Sequence, residues 1–75
     1  MKLFEFQGSL GPVIINLNLI QAISEANSNY MEKSLVWVDN EEQNSWSSQE
    51  SHTVLRSRWI RALKSDDENA VFSAP

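Results

Sequence analysis

His52 is the one imidazole in a chain of 75 residues that also holds eleven serines. Acyl transfer would need one of those serines held against that imidazole, on a sharp turn that exposes its hydroxyl. No Gly-x-Ser-x-Gly elbow frames any serine. His52 therefore reads as a solvated or half-packed side chain. The carboxylate clusters, Glu41-Glu42 and Asp66-Asp67-Glu68, are the other groups that could move protons. Paired carboxylates do acid–base work when their environments differ sharply. These fall in an expected turn and an expected tail, where both clusters read as solvated charge. The acidic run also lacks the Asp-x-Asp-x-Asp-Gly spacing of a calcium loop.

With no cysteine and a single histidine, a zinc site of the ordinary His/Cys kind is excluded. Gly8 and Gly11 lie between two expected strands, and no Gly-Lys-Ser follows either, so no phosphate loop is present. The expectation is a protein that is not an enzyme, with no cofactor and no metal.

Three tryptophans and one basic segment remain as candidates for recognition. Trp59 lies at helical spacing with Leu55 and Leu63 and reads as core. Trp37 sits in the middle of the most β-prone run and reads as core or interface. Trp46 stands between Ser45 and Ser47, and is the expected exposed aromatic contact. Residues 1–55 carry a net −5, residues 56–64 carry +4 and residues 65–75 carry −3. The basic segment is Arg56, Arg58, Arg61 and Lys64. Together with Trp46 these are the expected partner-binding residues. Four cations on a chain of net charge −4 neutralise few phosphates, which disfavours nucleic acid.

Alternation predicts the elements that must carry these groups. Residues 2–7 place Phe4 and Phe6 on one face, with period two. Residues 13–17 repeat the pattern with Val13, Ile15 and Leu17, so the two read as a hairpin with a loop of four or five residues. Asn18 to Gln21 has the spacing of a capping box, and predicts a short helical turn leading into a strand. Residues 27–29 read as a turn, 30–38 as a strand, 39–42 as a polar hairpin turn and 43–46 as a returning strand. Ser47-Ser48-Gln49-Glu50 matches the capping box proper, with Ser47 as the cap. Behind it Val54, Leu55, Trp59, Ile60 and Leu63 recur at helical spacing, and Arg61 and Lys64 suit the carbonyl end of a helix. A helix over about 49–64 is predicted, with a strand at 53–60 as the alternative.

Between Val13 and Leu63 the order strand, Asn-x-x-x-Ile-x-x-Ile, hairpin, short helix resembles the small swarming-motility protein family of bacterial flagella. Asn16, Ile20 and Ile23 are the shared positions. The turn around Asn27 and the tryptophans depart from that pattern, and the resemblance carries no function over to this chain.

The expected fold is α+β: a small antiparallel sheet of about four strands packed by one C-terminal helix. Residues 1–64 read as a single small domain and 65–75 as a flexible acidic tail. Phe4, Phe6, Val13, Ile15, Ile20, Ile23, Leu35, Trp37, Leu55, Trp59 and Leu63 are the expected core. A core this small, without disulfide or zinc, is marginal. The expected function is a non-enzymatic protein-interaction module: an adaptor, accessory subunit or regulator acting by protein contact, as a homodimer or with another protein. The alternative is a nucleic-acid-related regulator, binding through residues 56–64 or acting as an acidic decoy of a DNA-binding protein. No apolar run of membrane length or of signal-peptide character is present, so a cytoplasmic location off the membrane is expected.

Overall fold

A computed structural model describes residues 1–26, 32–40 and 42–73 of the chain. The alternation of Phe4 and Phe6 makes β1 (Leu3–Gly8), and both rings are fully buried. β1 returns as β2 (Gly11–Asn16), with Phe4 opposite Ile15 and Phe6 opposite Val13. The hairpin is tighter than the expected loop of four or five residues. Gly8 pairs with Gly11, leaving Ser9 and Leu10 as a two-residue turn. Gly11 has φ of +131°, a region that side chains rarely adopt, so the turn needs glycine there. Gly8 is needed for space: an added Cβ would lie 2.9 Å from the Val13 methyl and 3.0 Å from the Gly11 carbonyl.

A 3₁₀ turn (Leu17–Leu19) then leads into β3 (Ile20–Glu25), as the capping-box spacing predicts. The cap is Asn16, however, whose side chain accepts from the Asn18 amide. The chain continues through β4 (Ser34–Val38), β5 (Ser45–Ser48), α1 (His52–Lys64) and β6 (Val71–Phe72). The turn expected at 27–29, the first two residues of the strand expected at 30–38, and Glu41 lie outside the described residues.

The result is an antiparallel sheet in the order β2-β1-β5-β4-β3, packed against one helix. β6 adds a short parallel pairing, Leu3 with Val71 and Phe4 with Phe72. Its neighbour Ala70 accepts from the Leu3 amide at 3.0 Å. β6 lies within residues 65–75.

The core is Phe4, Phe6, Leu17, Ile20, Ile23, Val36, Val38, Leu55 and Ala62. Val13, Ile15 and Trp59 pack against its rim. Two parity expectations fail. Val36 and Val38, not Leu35 and Trp37, face inward on β4, because Val36 lies opposite both Ile23 and Trp46 and Val38 lies opposite Ile20. A strand apolar on both faces leaves its register to the neighbours. Leu63, expected in the core, is exposed, and Ala62 is buried in its place.

Candidate interaction surface

Residues 53–60 are helix, which settles the alternative between helix and strand. The helix starts later than the capping box predicts. Ser51 is the cap, and its hydroxyl accepts from the Val54 amide at 3.3 Å. Ser47 cannot cap, because β5 runs through to Ser48 in register with β4. The Ser47 hydroxyl instead donates to Glu32 at 3.2 Å. At the other end Arg61 and Lys64 sit in the last turn as expected, but the direct contact comes from Lys2. Its ammonium donates to the carbonyls of Ala62 at 2.9 Å and Ser65 at 2.6 Å, satisfying groups that the helix end leaves open.

Arg58 departs most from expectation. It is 3% exposed and lies in the stripe formed by Leu55 and Ala62, so it is withdrawn from the basic surface. Its guanidinium binds Glu50 through two contacts, Nη2 to Oε1 at 2.7 Å and Nη1 to Oε2 at 3.2 Å. Nη1 also donates to the Glu5 carbonyl at 3.1 Å, and the guanidinium carbon lies 5.9 Å from the centre of the Phe4 ring. Glu50 Oε2 accepts from the Gln7 amide at 2.9 Å.

The pair has a place in the sheet. β1 meets β5 only at Gly8–Ser48, and meets β6 only at Leu3 and Phe4. Between these pairings the backbone of Glu5 and Gln7, paired with β2 on the other edge, would lack a strand partner on this one. The Glu50–Arg58 pair supplies the missing acceptor and donor along that edge. Gln49 and the Ser48 hydroxyl complete it by donating to the Gln7 carbonyl at 2.9 and 2.8 Å. Burial pushes the Glu50 carboxyl upward, but its hydrogen bonds to Arg58 and Gln7 and the Arg58 charge outweigh that, and its pKa is lowered. Among the described residues Arg58 Nε and Trp59 Nε1 are buried without a partner.

Removing Arg58 leaves Arg56, Arg61 and Lys64 as the exposed cations of α1. On a helix, residues three and four apart are neighbours, about 5–6 Å between Cβ atoms. Arg56, Ile60, Leu63 and Lys64 are linked in this way and form one patch. Ile60 is 46% and Leu63 54% exposed, although both are apolar. Val54, 50% exposed, and Arg61 lie on a neighbouring stripe with Ser57.

The tryptophans divide differently from expectation. Trp46 is half-buried and packs against the core, so it is not the most exposed of the three tryptophans. Trp37 is, at 40%, on the outer sheet face, where its indole N–H donates to the Ser24 hydroxyl at 3.0 Å. Glu42, Asp66, Asp67 and Glu68 are exposed. Among the described residues no group of three or more His, Cys, Asp or Glu side chains could hold a metal ion. No helix among them is long and apolar enough to cross a membrane.

No protein-family model matches the chain, and no curated protein or solved structure matches it.

Proposed function

We propose that the chain is a non-enzymatic contact module whose α1 outer face binds an acidic surface of another protein. The observation that carries this reading is the pairing of exposed Ile60 and Leu63 with Arg56 and Lys64 on one helix face. The helix is held at both ends and through Arg58, so its outer face is presented on a fixed support. Two apolar side chains left half-exposed at helical spacing gain by being covered. Full burial of an exposed side chain contributes about 1.5–3 kcal/mol, so covering the exposed half of each contributes about half of that. Exposed charge pairs contribute about 0–1 kcal/mol each. The apolar pair would therefore supply most of the affinity, and the cations would select an acidic partner.

A second copy meeting this helix face to face would set Arg56, Arg61 and Lys64 against their own equivalents. A different chain, or the acidic side of a second copy, fits better. The test compares affinity capture from the native host by the wild-type chain with capture by Ile60→Asp, which leaves the core untouched. A partner lost in Ile60→Asp supports the reading. Equal capture by both chains would remove it. A salt-dependent shift of labelled DNA by the wild-type chain, abolished in Arg56→Glu, would turn the reading to nucleic acid.

A further inference from the structure

A groove of about 420 Å³ opens between the β1–β2 turn and β5. Leu10, Pro12, Val13, Gln43, Ser45 and Trp46 line it, and no charged side chain is among its lining residues. In a chain with 21% charged residues, an uncharged groove of this size disfavours an ionic ligand. It shares no residue with α1.

The backbone of β5 defines what fits. Asn44 accepts from Val38 and Ser48 accepts from Lys33, so residues 44, 46 and 48 turn their amides and carbonyls toward β4. Residues 45 and 47 then turn theirs toward the opposite edge. On that edge β5 has one strand pairing, Ser48 with Gly8, because β1 leaves at the hairpin turn. Among the described residues the Ser45 and Ser47 amides have no strand partner there. The Ser45 carbonyl is taken by a side chain: Gln43 Nε2 donates to it at 2.9 Å. Unpaired strand groups beside an apolar wall of Trp46 and Val13 are the arrangement that accepts an added strand.

We propose that this groove receives an extended, uncharged peptide of a partner protein, added as a strand to the free edge of β5. Its backbone pairs with Ser45 and Ser47, displacing the Gln43 side chain, and one apolar side chain rests on Trp46 and Val13. Charged peptides are disfavoured because nothing in the lining compensates them.

The experiment selects random linear dodecapeptides displayed on phage against the whole chain. Enriched peptides should share an uncharged stretch that contains one apolar residue at a fixed position. Adding such a peptide should slow hydrogen exchange at the Ser45 and Ser47 amides. Gln43→Ala should tighten binding severalfold by removing the competing amide. Ser45→Pro deletes an outward N–H that β4 does not use, and should weaken binding about tenfold. If Ser45→Pro fails to fold, exchange at Ser45 and Ser47 in the wild-type chain decides. No enrichment over a control without the protein, or enriched peptides that protect amides elsewhere, would overturn the proposal.

Discussion

Replacing Arg58 with methionine keeps an unbranched apolar stem in the stripe with Leu55 and Ala62 but deletes the guanidinium. Three polar contacts go with it, two to Glu50 and one to the Glu5 carbonyl. Breaking a buried ion pair by removing one partner costs about 3–5 kcal/mol, because the remaining charge is left uncompensated. The Glu50 side chain is 17% exposed and retains the Gln7 amide, so the low end, about 3 kcal/mol, is expected. A domain of this length has roughly 4–11 kcal/mol in total, so the loss is a large fraction of it. Urea unfolding followed by tryptophan fluorescence measures it, as a fall in midpoint with an unchanged slope.

The same pair predicts a pH signature. The Glu50 pKa is lowered in the folded chain, so its contribution is fully present above the unfolded carboxylate value of about 4.3. It is lost as pH falls through the folded value. Stability of the wild-type chain should therefore drop on the acid side, and Glu50→Gln should flatten part of that drop while lowering stability at pH 7. An Arg58→Met chain within about 0.5 kcal/mol of wild type, the range of ordinary surface substitutions, would refute the reasoning. So would an acid limb unchanged by Glu50→Gln.

Ser51→Ala should cost about 0.5–2 kcal/mol of stability and more than Ser47→Ala, since Ser51 holds the Val54 amide; matched thermal melts compare them. Lys2→Met should destabilise by about 1 kcal/mol through loss of the contacts to Ala62 and Ser65, read in the same melts and as faster amide exchange in the last turn of α1. Gly11→Ala forces an alanine to φ of +131° and should cost about 1–3 kcal/mol, while Ser9→Ala beside it should be nearly neutral in urea unfolding.

Local chemistry made much of this fold legible. Phe4 and Phe6 alternate with Glu5 and Gln7, so their face is legible without knowing what covers it. The glycines at 8 and 11 marked the turn, although only the pairing of one with the other fixed its two-residue length. β4 resisted the same reading because Leu35 and Trp37 are as apolar as Val36 and Val38. Its face is decided by Ile20, Ile23 and Trp46 on the adjoining strands. The helix start was obscured by three serines within five residues. Each is competent to cap, and strand pairing at Ser48 removes the first two.

Arg58 is illegible for a different reason. A cation in a basic run reads as solvated, yet its spacing of three from Leu55 and four to Ala62 places it on the buried stripe. Glu50, eight residues earlier, was the available partner. That spacing was the signal. What no local pattern shows is that β1, paired with β2 on one edge, lacks a strand on its other edge at Glu5 and Gln7, which is what the pair replaces. The basic spacing predicts a solvated Arg56, Arg61 and Lys64, and all three are exposed, whereas the exposure of Ile60 depends on how the helix lies against the sheet.

The central claim, contact through the outer face of α1, is tested most directly by a photo-crosslinking side chain placed at residue 60 in the native host. A second copy of the experiment places it at residue 21, exposed on β3. Illumination should join residue 60 to one other protein, through a segment rich in Asp and Glu, and should leave residue 21 unjoined. No adduct from residue 60, or the same adducts from both positions, would contradict the account.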